Sequence, residues 1–182
     1  MLITFAGLHG TGKTTVAKLL ATNLGLKHVS TGQIFRRMAD ERGMDLVEFS
    51  SHAVDHPEID FELDRRVMAI GLEGDVVLDG QLCWYFLKDV ADWKILLTCD
   101  DETRINRIFE REHEYRGDAV TIDGIREETF GREGIEQQRY KEIYAIDLSD
   151  QEFLQENHDL VIDTTNLNAE QVLDEIIQAI GK

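Results

Sequence analysis

Residues 7 to 14 read Gly-Leu-His-Gly-Thr-Gly-Lys-Thr and satisfy the pattern G-x-x-x-x-G-K-[ST] at every fixed position. The flanks turn this from a glycine turn into a constraint on the fold. Leu2 to Ala6 is a short apolar run that reads as a buried strand. After the turn, apolar residues recur at Val16, Leu19, Leu20 and Leu24 with helical spacing, until Gly25 stops the pattern. Strand, glycine loop and helix follow one another without a gap. In such a loop Gly7, Gly10 and Gly12 let backbone N–H groups face inward around an anion, and the helix N-terminus adds a partial positive charge. Lys13 can reach the β- and γ-phosphates, the Thr14 hydroxyl can ligate Mg²⁺, and Thr15 can donate toward the α-phosphate. Leu8, His9 and Thr11 fill the loop, with the His9 side chain expected to point outward. The expected occupant is the triphosphate of a nucleotide.

The rest of the chain alternates in the same way. "KHVS" reads as a second strand, "DVVLD" (75–79) as a third, "WKILLTC" (93–99) as a fourth and "DLVID" (159–163) as a fifth. Helices are expected over 31–42, from an Asp45 cap through 54, from near Pro57 through 72, and over 101–112, 125–143 and 169–180. "EYRGDAVTIDG" is polar and glycine-punctuated and is expected to be mobile. Short strands that are apolar on both faces and separated by helices specify an α/β fold of three layers, a five-stranded parallel sheet with helices on both faces. A length of 182 residues suits one domain, and no repeat or second domain is visible.

The formal net charge of −17 makes the chain a poor partner for nucleic acid, so a phosphate site must be local, built from a few arginines and backbone amides. The acid excess fits either a salt-rich cytosol or an ordinary acidic protein. No apolar run approaches the ~20 residues of a membrane span, and the N-terminus lacks the marks of a signal peptide. The expectation is a cytoplasmic protein, monomeric, with no membrane and no nucleic-acid partner. Cys83 and Cys99 lack metal-ligand spacing and read as free thiols, and His28, His52, His56, His113 and His158 read as ordinary surface or edge residues.

What becomes of the triphosphate is decided by the remaining motifs. A guanine-reading N-K-x-D segment is absent, and the chain is short for a large ATPase motor. Small-molecule kinases remain. The segments "HVSTGQIFRRMADERGMDLVEFS", "HPEIDFELDRR", "VVLDGQL" and "RYKEIYAIDLSD" resemble the archaeal type of cytidylate kinase over nearly the whole chain. The resemblance implies the nucleoside monophosphate kinase variant of the P-loop NTPase fold: a single kinase domain over 1–182, with a monophosphate-binding insertion at about 31–72 and a lid at about 111–131. It implies transfer of the ATP γ-phosphate to CMP or dCMP.

The candidate acceptor residues follow. Ser30 or Thr31 can cap the helix that carries Arg36, which can grip a monophosphate bidentately or lie solvated, as Arg37 does. Asp60 and Asp64 share one helical face; one of them can meet the cytosine amino group or the ribose, or both pair with Arg65 or Arg66. Asp79 ends the third strand, where ligands collect in α/β sheets, and can hold Mg²⁺. Gly80 and Gln81 follow it on the acceptor side; the family pattern has arginine where Gln81 stands, so the acceptor is held differently there. Arg132 and Arg139 are two turns apart, drifting only about 20°, with Glu136 between them on one face. The resemblance implies that this pair meets the transferring phosphates while Glu136 accepts from ribose hydroxyls. Arg104, Arg107 and Arg111 share another face, from which Arg107 and Arg111 can stack on adenine, touch ATP phosphates, or simply pair with neighbouring acids. Two other functions stand beside this one. One is a kinase of the same fold for another nucleoside monophosphate or a metabolite such as shikimate. The other is a nucleotide-binding module without catalysis.

Overall fold

The computed structural model describes residues 1–181, apart from the side chains of residues 46 and 47; residue 182 of the expected domain lies outside the described residues. The strands are β1 (Leu2–Ala6), β2 (Lys27–Ser30), β3 (Val76–Asp79), β4 (Trp93–Thr98) and β5 (Leu160–Asp163), and they form one five-stranded parallel sheet in the order β2-β3-β1-β4-β5. β1 and β3 are buried at every residue, as their uninterrupted apolar sequences require. The parallel register pairs Phe5 with Asp79 and Ser30 with Asp79, so β1, β2 and β3 finish level with one another.

The helices are α1 (Lys13–Leu24), α2 (Thr31–Glu41), α3 (Leu46–Val54), α4 (Glu58–Glu73), α5 (Cys83–Phe86), α6 (Asp101–Arg116), α7 (Ile122–Tyr144), α8 (Gln151–Glu156) and α9 (Ala169–Ile180). Local chemistry sets their ends. Asp45 caps α3 by accepting from Glu48 N, and Thr121 caps α7 by accepting from Gly124 N. The glycine-punctuated stretch 114–124 is largely helical. α6 runs to Arg116, ends at Gly117 with φ +59°, and a single 3₁₀ turn (Gly117–Ala119) leads to α7.

The chain divides into two compact units, one of Met1–Ala6 with Lys13–Ile95, the other of Gly7–Gly12 with Leu96–Lys182. In the first, Leu2, Ile34, Met38, Phe49, Ile59, Val67 and Leu78 make a shared core. Arg66 bonds Glu41 and Glu62 on its surface and so bridges α2 and α4. In the second, Ile105, Ile108, Val120 and Ile125 pack α6 on α7. The buried residues of α7 are Ile125, Thr129 and Glu133, a narrow stripe four residues apart that includes a carboxylate.

Candidate active site

The loop Gly7–Gly12 is held in a conformation that only glycine tolerates at two contact points. Gly7 (φ +135°) and Gly10 (φ +82°) carry positive angles, and a Cβ on them would lie 2.2 Å from the Leu97 carbonyl oxygen and 2.4 Å from that of Arg104. Thr11, fully buried, donates to Leu8 O at 2.8 Å, and its own carbonyl accepts from Thr164 Oγ1 at 3.1 Å. Thr164 also bonds Thr98 O, which secures the loop to the ends of β4 and β5.

A buried ion pair grips the same loop from the other side. Arg104 (2% exposed) and Glu133 (5% exposed) meet at 2.8 Å. Between them they bind both peptide groups of His9: His9 N donates to Glu133 Oε1 at 3.1 Å, and Arg104 Nη1 donates to His9 O at 3.4 Å. Arg104 also bonds Asp101 and lies 5.1 Å from the centre of the Phe130 ring. Neither the burial of Arg104 nor any role for Glu133 was visible in sequence; the partner helices lie 29 residues apart, and the signal available was a lone acid at the i+8 position of the Ile125–Thr129 stripe.

The His9 ring does not point outward. Its Nε2 lies 3.0 Å from Glu136 Oε2, and Arg132 Nε donates to Glu136 Oε1 at 2.8 Å. Burial pushes the Glu136 carboxyl up, but the hydrogen bond and charge of His9 and the charge of Arg132 outweigh it and hold the group down at about 2. Arg132 and Glu136 are thus brought together as the spacing predicts, with Arg132 largely exposed; Arg139, half-buried, has its guanidinium 5.9 Å from the centre of the Tyr140 ring. His9, Thr129, Arg132 and Arg111 face a cleft of about 200 Å³ within this unit. Arg111 is exposed and pairs with Glu112. The Arg107 guanidinium donates to Thr164 Oγ1 and O and to Leu167 O, fastening the loop between β5 and α9.

In the other unit, Lys13 and Thr14 open α1, with Thr15 exposed beside them. Thr14 Oγ1 donates to Asp79 Oδ1 at 2.9 Å, and Asp79 is 3% exposed. Ser30, the N-cap of α2, donates to the same oxygen at 3.2 Å, while His28 Nε2 lies 2.6 Å from Asp79 Oδ2. The reading of His28 as an ordinary edge histidine is therefore corrected: it is a partner of the carboxylate. A hydroxyl and a carboxylate, both hard oxygen donors and already facing each other, fit the coordination habits of Mg²⁺. Gly80 has no room for a side chain, since a Cβ would sit 1.9 Å from Thr31 Oγ1, which donates to Asp79 O. Burial pushes the Cys83 thiol beside Thr31 up to about 12, so it is unreactive. The Gln81 carbonyl accepts from Trp84 Nε1. Asp60 is buried in the first turn of α4. Arg36 is exposed and folds back along α2, its guanidinium nitrogens within 4.0 Å of the place a Gly32 side chain would occupy.

A family model described as an AAA domain matches residues 3–131. The chain is 44% identical to the cytidylate kinase of Methanocaldococcus jannaschii over 183 residues, covering 99% of this chain and 97% of that protein. It is 40% identical to the cytidylate kinase of Methanopyrus kandleri, with 99% and 93% covered. Among solved structures, an uncharacterised protein from Eubacterium ventriosum matches with a TM-score of 0.72 at 16% identity, covering 100% of this chain and 99% of that one. A shikimate kinase from Bacteroides thetaiotaomicron matches with 0.63 at 12% identity and the same coverage, a likeness of fold alone.

Proposed function

This chain belongs to the cytidylate kinase family, and on that premise we propose that it transfers the γ-phosphate of ATP to CMP or dCMP, giving CDP or dCDP and ADP. The observation that carries the reading is an intact phosphate motif, whose Thr14 donates to Asp79, in a chain 44% identical over nearly its full length to a protein of that name.

The chemistry needs no covalent intermediate on the protein. An oxygen of the acceptor phosphate attacks the γ-phosphorus in line, and the bond from that phosphorus to the bridging oxygen of ADP breaks. Loop amides and Lys13 hold the β- and γ-phosphates. Arg36 receives the acceptor phosphate, Arg132 and Arg139 offset charge on the transferring group, and Asp60, Gly80, Gln81 and Glu136 shape the nucleoside side. Thr14 and Asp79 would hold Mg²⁺, which when bound neutralises phosphate charge. Arg107 and Arg111 belong to the donor side. The domain plan is one kinase domain with the acceptor insertion at about 31–72 and a lid at about 111–131 that excludes water. The protein acts as a cytosolic monomer; no helix among the described residues is long and apolar enough to cross a membrane.

The test is coupled ADP release with saturating ATP and a panel of CMP, dCMP, UMP, AMP and shikimate. Turnover with CMP or dCMP at least ~100-fold above AMP and shikimate is expected, on the scale of a site that hydrogen-bonds its substrate. Activity with shikimate or AMP and none with the pyrimidine nucleotides would assign the chain to another acceptor, and ATP binding without transfer to any of them would make it a binding module.

A further inference from the structure

His9 stands in a variable position of a loop whose task is to hold ATP, yet its contacts lead elsewhere. Its backbone is fixed independently of its ring, the N–H by Glu133 and the carbonyl by Arg104. The ring is thereby aimed at a second carboxylate of α7, one turn beyond the first, and reaches Glu136 Oε2 at 3.0 Å. Glu136 has its other oxygen on Arg132. A glutamate side chain loses considerable rotamer freedom when fixed, and here His9 and Arg132 each hold one of its oxygens.

We propose that His9 is a positioning residue for the acceptor half of the reaction: from within the ATP-binding loop it holds Glu136, and through Glu136 the Arg132 guanidinium, in place. This rests on the reading of Glu136 and Arg132 as acceptor-side groups given above. Removing the ring leaves the loop backbone fastened by the Arg104–Glu133 pair, so the donor site keeps its shape. Glu136 loses the contact on its Oε2, and the direction in which it holds Arg132, which is largely exposed, is fixed less tightly. The effect of a substitution in the phosphate loop therefore falls on the other substrate.

The experiment measures the KM for CMP at saturating ATP, and separately the Kd for ATP by calorimetry without acceptor, in wild type, His9→Ala, His9→Gln, Glu136→Gln and His9→Ala/Glu136→Gln. His9→Ala is expected to raise the KM for CMP by about 10-fold, the size of a lost hydrogen bond to a charged group, with the Kd for ATP within about twofold of wild type. His9→Gln, whose amide can donate to Glu136, recovers most of that loss. The double variant is no worse than the poorer single one, because both changes break one contact. Equal losses in CMP and ATP affinity for His9→Ala, or additive losses in the double variant, overturn the inference and leave His9 a loop residue. A Glu136→Gln variant with an unchanged KM for CMP overturns instead the acceptor-side reading of Glu136 beneath it.

Discussion

Replacing Arg104 by Met keeps the aliphatic stem and removes the guanidinium from a site that is 2% exposed. What remains is the Glu133 carboxylate, 5% exposed, which has lost its cation at 2.8 Å and keeps the His9 amide at 3.1 Å. An uncompensated buried charge of this kind costs about 3–5 kcal/mol. Against a typical total of about 5–15 kcal/mol that is a large fraction of the stability. At about 2–4 °C per kcal/mol for a chain of this size, Tm falls by roughly 6–20 °C. Arg104→Leu with Glu133→Leu removes both charges and fills the space with apolar groups, so most of the lost stability returns. Loop geometry does not return with it, because both peptide groups of His9 have lost their anchors. Urea unfolding followed by far-UV circular dichroism, together with calorimetric titration of ATP, separates the two effects. The double variant is expected near wild type in unfolding free energy and at least ~10-fold weaker for ATP, the scale of one or two lost charge-assisted hydrogen bonds. A loss under ~1 kcal/mol in Arg104→Met would place the pair among weak surface contacts. Wild-type ATP affinity in the double variant would refute the claim that the pair shapes the loop.

Lys13→Ala and Arg132→Ala should each lower kcat by at least ~100-fold, the scale of lost charge stabilisation at a transferring phosphoryl group; near-normal turnover in Arg132→Ala would remove it from the reacting centre. Gly80→Ala forces a methyl group against Thr31 Oγ1 and should cost about 1–3 kcal/mol in urea unfolding, where an undisturbed midpoint would contradict the close packing. Glu136 has a folded carboxyl held at about 2, below the usual 4.5, so its contribution to stability is complete above about pH 4.5 and disappears as pH falls toward about 2. The stability gap between wild type and Glu136→Gln should close over that interval; a gap that widened on acidification would reverse the assigned sign.

Where the chain could be read ahead of its structure, the reason is local. β1 and α9 have the bounds that their apolar runs and flanking glycine or capping residues dictate, and Asp45 caps the helix it precedes. α6 is four residues longer than expected because Gly117, not the polarity of 113–116, is what stops it. α5 and α8 span four and six residues, too few for a periodic signal, although Asp150 marks the start of α8 by capping Phe153 N. The motif residues, the Thr14–Asp79 contact and the Arg132–Glu136 pair all follow from spacing or sheet topology. His28 with Asp79, His9 with Glu136 and Arg104 with Glu133 do not: they join residues 51, 127 and 29 apart, and no local pattern reports which side chains tertiary folding will bring face to face.

The carboxylate of Asp79 is shared by Thr14, Ser30 and His28, which arrive from α1, the cap of α2 and β2. Substitutions at these four positions cannot be judged one at a time, since each alters the surroundings in which the others are tolerated. A descendant of this chain that exchanged His28 for an aliphatic residue would need a new donor to Asp79 Oδ2 from elsewhere. At these positions, then, the stability lost in one substitution depends on which of the other three residues is present, and a paired change can restore what a single one removes.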